Sequence, residues 1–166
     1  MTVVADSTPL IYLASLSRFE VLRSLFAEVV IPESVHREVI IQASGFPVRD
    51  CVQAGLGVWI TVRSVSEPAA LPQLMREGRI HRAEAEAITL AAQIGVRWLL
   101  MDDRRAVELA RRMGLSILRT PMILALAAKS GMVPDLRRCL EQMREAGFWL
   151  SDAHLAAILE AVGETK

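Results

Sequence analysis

Short apolar runs and longer amphipathic stretches alternate along this chain. Val3-Val4-Ala5 is the first run; Asp6 closes it, and Ser7, Thr8 and Pro9 lead into a new apolar segment. A continuous run of this kind marks a strand buried on both faces, and Pro9 suits the first turn of a helix, where its missing N–H costs nothing. The pattern predicts a first helix to about Leu16 and a second over 18–25, capped by Ser17, with Phe19, Leu22, Leu25 and Phe26 at helical spacing. Val29-Val30-Ile31 reads as a second strand, and Pro32 opens a helix from Glu33 to about Gln42. Residues 43–57, with three glycines and a proline, read as a loop or broken helix, and 58–62 as a third strand.

The second half repeats the alternation. Residues 66–72 are a turn-rich connector, and Leu71, Leu74 and Met75 predict a short helix broken by Gly78. Residues 83–94 give the clearest helix, ended by Gly95. Residues 98–101 read as a strand closed by Asp102-Asp103, 104–113 as a helix, 116–118 as a short strand and 121–130 as an apolar helix. Two final helices follow over 134–146 and 151–162. Strands alternating with helices imply an α/β fold with a mostly parallel central sheet and helices on both faces. We expect one domain over 1–166, with a core over about 2–133 and the C-terminal helical pair (about 134–162) as an appended lid or dimer surface.

Composition narrows the class. The chain has 166 residues, 52% of them apolar, enough for a sizeable core and too many for disorder. No apolar run approaches the ~20 residues that cross a bilayer, and Val3-Val4 is too short for a signal-peptide core. A cytoplasmic protein with no membrane association is the expectation. Cys51 and Cys139 stand in no zinc spacing and read as ordinary small residues. Formal net charge is zero, so no global field draws nucleic acid. The cations are 17 Arg against two Lys. That suits phosphate recognition, and equally reflects a codon bias.

Four carboxylates carry the candidate chemistry. Asp6 and Asp102 end apolar runs and so sit at strand C-termini, the edge where open α/β sheets bind ligands. Glu38 borders the buried stripe of the helix after the second strand. Glu84 shares a helix face with Ile88, Ala91, Ala92 and Gly95, all within about 80° of it, whereas Glu86 points the other way with Thr89 and Gln93 and is expected to be solvated. Each acid has a bland alternative: a helix cap for Asp6 and Asp102, solvent for Glu38, the helix dipole for Glu84. Asp103 is best read as the cap of the next helix. Together, however, the acids would repel one another unless a divalent cation sat among them. Oxygen-only donors suit Mg²⁺ or Mn²⁺ rather than zinc, and a phosphodiester is the natural substrate of such a centre. No Ser/His/Asp order, Walker loop or GxGxxG is present.

The segments VVADSTPLIYLA, IPESVHREV, AEAEAITLAAQIGVRWLLMDDRRAVELARRMGL and RTPMILALAAKSGMV, in this order over about residues 3–133, resemble the PIN-domain superfamily, and within it the DUF3368 group. The resemblance implies a three-layer α/β/α sandwich, Mg²⁺ or Mn²⁺, and cleavage of single-stranded RNA. Its acids fall on Asp6, Glu38, Glu84 and Asp102, with Asp103 an additional ligand and a hydroxyl at Ser7 or Thr8. Many members are toxins of toxin–antitoxin pairs and form homodimers, so an antitoxin protein and a second copy are the implied partners. Two departures stand out: Ala83 and Arg119 occupy positions where the group usually has Gly.

Around these acids, Ser7, Thr8, Arg104, Arg119 and Thr120 are the candidate substrate contacts. Arg119 is placed either to grip phosphate or to obstruct it, and Arg104 and Arg105 equally suit a solvated face. His36, His81 and His154 are expected to be solvated or packed. Ser151-Asp152 reads as the cap of the last helix, and Phe148 and Trp149 as packing for the tail or a dimer interface. Two functions follow: a metal-dependent endoribonuclease, or a PIN-like module that binds RNA or an antitoxin-type protein without cutting.

Overall fold

The computed structural model describes residues 1–42 and 45–164. Five parallel strands form the centre: β1 (Thr2–Ala5), β2 (Glu28–Pro32), β3 (Ile60–Arg63), β4 (Leu99–Leu100) and β5 (Ile117–Leu118), in the order β3-β2-β1-β4-β5. β1 lies at the middle, with Val3 opposite Val29 and Val4 opposite both Val30 and Leu99. Strand order reverses between β1 and β4, because β1 leads outward through β2 to β3 and the chain then returns to β1's other side.

Period-two alternation splits the core. Val3, Ala5, Val29, Ile31 and Leu100 face one layer, which contains α1 (Ser7–Ser15), α2 (Glu20–Leu25), α4 (Pro47–Gly55), α8 (Thr120–Lys129), α9 (Leu136–Glu145) and α10 (Asp152–Val162). Val4, Val30, Leu99 and Met101 face the other, formed by α5 (Leu71–Gly78), α6 (Arg82–Ile94) and α7 (Arg104–Arg112). The arrangement is the expected three-layer α/β/α sandwich. α3 (Glu33–Arg37) follows β2 and passes into a π-helical turn over Glu38–Gln42. The C-terminal pair is part of a core layer: Leu136, Leu140, Met143 and Leu159 are buried with side chains of α1, α2 and α8. No helix among the described residues is long and apolar enough to cross a membrane.

Several expectations need correction. Residues 47–55 form a true helix, α4, with Pro47 in its first turn; residues 43 and 44 lie outside the described set. The third strand starts at Ile60, because Val58 and Trp59 belong to a turn in which both amides donate to the Gly55 carbonyl. Ser17 does not cap α2. It adopts a left-handed conformation at φ +55, and the helix begins at Glu20.

Candidate functional site

Parallel strands deliver all their C-terminal ends to one edge. Asp6 follows β1 and Asp102 follows β4 by two residues, so the two flank the point where strand order reverses, the usual crevice of an open α/β sheet. Asp6 occupies the N-cap position of α1, yet its side chain makes no cap hydrogen bond. It is only 2% exposed, and its Oδ1 has no hydrogen-bond partner among the described residues. Burial is the main cause that pushes its carboxyl up to about 7; the Ser7 backbone amide opposes this, and the charges of Glu84, Glu38 and Asp102 add to it. The charges of the three other acids thus reach Asp6.

Asp102 is equally buried but well held. Its Oδ1 accepts the Thr120 backbone N–H at 2.9 Å and its Oδ2 accepts the Thr120 hydroxyl at 2.5 Å. Arg119 stands beside it, with Nε 3.8 Å from Oδ1 and Nη2 donating to the Asp102 carbonyl at 3.1 Å. Burial still raises the Asp102 carboxyl, against the lowering effect of Thr120 and Arg119. The cap alternative for Asp102 thus holds in an unexpected form: it receives the first amide of α8, not of the following helix. Thr120 is 0% exposed and spends both donors on Asp102, so it positions an acid and does not face a substrate. Asp103 is exposed and caps α7 through the Ala106 N–H at 2.9 Å.

Of the two glutamates of α6, Glu84 keeps to the acid edge, where its charge reaches Asp6, while Glu86 departs from the role expected of it. Glu84 is half-buried, and its Oε2 accepts the His81 backbone N–H at 2.7 Å, one half of a capping box. Burial raises its carboxyl, the His81 amide lowers it, and Asp103 and Glu38 raise it further. Glu86, expected in solvent, is buried, because α6 packs on both the sheet and α3. Glu86 Oε2 accepts the Ser34 N–H at 3.1 Å and Oε1 accepts Arg82 Nε at 2.7 Å. Burial alone would raise its pKa; Arg82 and Ser34 outweigh it and hold the carboxyl below the ordinary range. Glu86 thus ties the helix of Glu84 to the start of the helix that leads to Glu38. Glu86→Ala leaves the Ser34 amide without its partner and is expected to lower the unfolding free energy by about 1–3 kcal/mol in urea titration.

Glu38 is half-buried and begins the π-helical turn. It borders a separate groove with Ile11, Gln42, Phe46 and Val48, while its charge acts on both Asp6 and Glu84. A cleft of about 480 Å³ is lined by the acids Glu84, Asp102 and Asp103 together with the aromatics Tyr12, Phe148 and Trp149. Thr8, Arg104 and Arg119 also reach it. Ser7 is buried, so only Thr8 of the two hydroxyls opens to the cleft. Arg104 is ion-paired with Glu108 on its own exposed face.

These residues suit a hard divalent ion in donor chemistry: a buried carboxylate oxygen without a partner, pressed by three other carboxylates. The ligand geometry is not preformed. Among the described residues, no three His, Cys, Asp or Glu side chains are grouped to hold an ion as they stand. Glu84 is turned to its own helix cap and Asp102 to Thr120. A family model described as DUF3368: PIN domain matches residues 2–164. The chain is a PIN domain of the DUF3368 family. No curated protein matches it. PIN domains are generally nucleases and typically use divalent metal ions. The acid edge of this PIN domain carries Asp6 and Asp102 just past the ends of β1 and β4, with Glu84 and Asp102 lining the cleft beside it. Sequence reasoning did not find the roles of Glu86, Thr120 or the cleft aromatics of this PIN domain. Thr120 is 18 residues from Asp102, and no local spacing signals that pairing.

Proposed function

We propose that this PIN domain is a metal-dependent endoribonuclease that cleaves phosphodiesters of single-stranded RNA. The observation that carries the reading is the partnerless buried Oδ1 of Asp6 under the field of Glu38, Glu84 and Asp102. These four acids would hold Mg²⁺ or Mn²⁺, with Asp103 at the rim as an additional ligand. Once bound, such an ion supplies Lewis acidity and an activated water for phosphodiester hydrolysis. Asp6 must give up its proton to serve, which the ion's charge favours. Glu84 must leave the His81 amide. Arg119 and Thr8 orient the phosphate, and Arg104 approaches it from the rim. The Ser7 amide steadies Asp6, while Thr120 keeps Asp102 in place. The reading extends to a cytoplasmic toxin with an antitoxin-type partner or a second copy of the chain. Met122 and Leu126, one turn apart and exposed on α8, offer an apolar surface for such contact.

A second reading is a PIN-like module that binds RNA or a protein without cutting. The absence of a preassembled ligand group among the described residues, and the Arg119 guanidinium beside Asp102, favour it. Titration of the purified protein with Mn²⁺, followed by incubation with several single-stranded RNAs, separates the two. Cleavage that depends on Mn²⁺ is the expected outcome. Metal binding with no cut in any RNA would establish the module instead.

A further inference from the structure

We propose that the cleft contains a base-stacking subsite in which the indole of Trp149 receives one unpaired nucleobase, beside the phosphate-facing Arg119. This rests on the nucleic-acid reading above for the identity of the occupant. The local chain builds the feature in steps. α9 ends at Glu145, and Gly147 takes φ +95, a conformation that favours glycine. The Phe148 amide then donates to the Met143 carbonyl at 2.9 Å. This reversal turns Phe148 inward, where its ring meets Tyr12 edge-on at 5.2 Å and lies under the Arg119 guanidinium at 5.7 Å. The next residue, Trp149, is turned outward and is 75% exposed.

Trp149 is nonetheless held from the other side. Ser151 caps α10 by accepting the His154 N–H at 3.2 Å, and its hydroxyl contacts His154 Nδ1 at 2.8 Å. The His154 ring in turn stands against the indole at 6.4 Å. A large flat aromatic, placed in the short connection between α9 and α10, therefore lines the same cleft as Asp102 and Glu84. An occupant of that cleft needs a flat π face for Trp149, an anionic group for Arg119 and a bond to be cut at the acids. A nucleotide chain has all three. Only a single strand offers free base faces, since a duplex stacks its bases on one another.

The test uses the full chain carrying Asp6→Asn, so that nothing is cut, without added metal. Binding is followed by the anisotropy of a dye-labelled short single-stranded oligouridylate, of the same labelled backbone with abasic sites and of a labelled RNA duplex, with indole emission recorded alongside in the protein that keeps Trp149. Trp59 is buried and Trp98 half-buried, which leaves Trp149 as the exposed reporter. Oligouridylate is expected to quench emission and to bind about ten-fold more tightly than the abasic strand or the duplex. Adding Trp149→Ala should remove that ten-fold preference, while Trp149→Phe keeps most of it. Equal affinity for oligouridylate and abasic strands, an unchanged preference in the Trp149→Ala protein, or no binding at all overturns the subsite. Cleavage by the unmodified, Mn²⁺-loaded protein is read separately. A base preference without cleavage keeps the subsite and removes the nuclease; cleavage without a base preference does the reverse.

Discussion

Asp6→Asn is expected to abolish metal-dependent cleavage and, at the same time, to make the metal-free protein more stable at pH 7.5. The two effects share one cause. Burial, with a smaller contribution from the charges of Glu84, Glu38 and Asp102, pushes the Asp6 carboxyl up to about 7 from an ordinary value of 3.8. Between those values the folded chain holds a proton that the unfolded chain has released, so stability falls as pH rises through the window and levels off above about 7. A shift of about three units corresponds to about 4 kcal/mol at most. Asparagine carries no such charge. Its advantage should therefore be largest at pH 7.5 and should fade toward pH 4, as read from urea titrations across that range. Mn²⁺ should reverse the ranking, since an ion that binds only the folded parent stabilises it selectively. Groups that merely support a metal ligand are worth about 10–100-fold in metal affinity, so loss of a direct ligand should cost at least as much. A parent protein with a flat pH profile, or a variant that still cleaves, would remove Asp6 from the centre.

The second large effect is expected at Thr120. Thr120→Val keeps the shape of the side chain and the backbone bond to Asp102 Oδ1, but leaves Oδ2 buried without a donor. An unsatisfied buried oxygen costs about 1–3 kcal/mol, which urea titration should register. The freed carboxylate can rotate, so Mn²⁺ affinity measured by calorimetry should fall about 10–100-fold, and cleavage with it. Thr120→Ser restores the hydroxyl and should recover most of the affinity. If the valine protein loses stability yet binds Mn²⁺ like its parent, Asp102 is not a ligand.

Much of the acid edge was legible because buried parallel strands leave continuous apolar runs. Val3-Val4-Ala5 and Leu99-Leu100-Met101 each point to the carboxylate that follows, and both acids lie where those runs end. The cap role of Asp103 was legible too, since capping is local. Glu86 was misplaced for a clear reason. α6 is buried on more than one side, so its apolar positions encircle it and a single wheel cannot say which carboxylate meets the sheet and which meets α3. The π-helical turn at Glu38 and the left-handed Ser17 leave no residue pattern that a periodicity argument detects. The Asp102–Thr120 pair depends on where β4 and α8 meet, and that is a property of the assembled sheet.

The lengths of the two central anchors differ, and this sets an order of fluctuation at the edge. β1 is paired with β2 over three residues and with β4 over two, while β4 has two residues in all. Asp6 thus follows a longer strand, paired on both sides. Asp102 rides on a short one and relies on Thr120 to complete its hold. Transient opening, as seen by amide hydrogen exchange, costs least where the ladder is shortest. The backbone beneath the two aspartates is therefore expected to exchange unequally, with the β4 amides opening before those of β1.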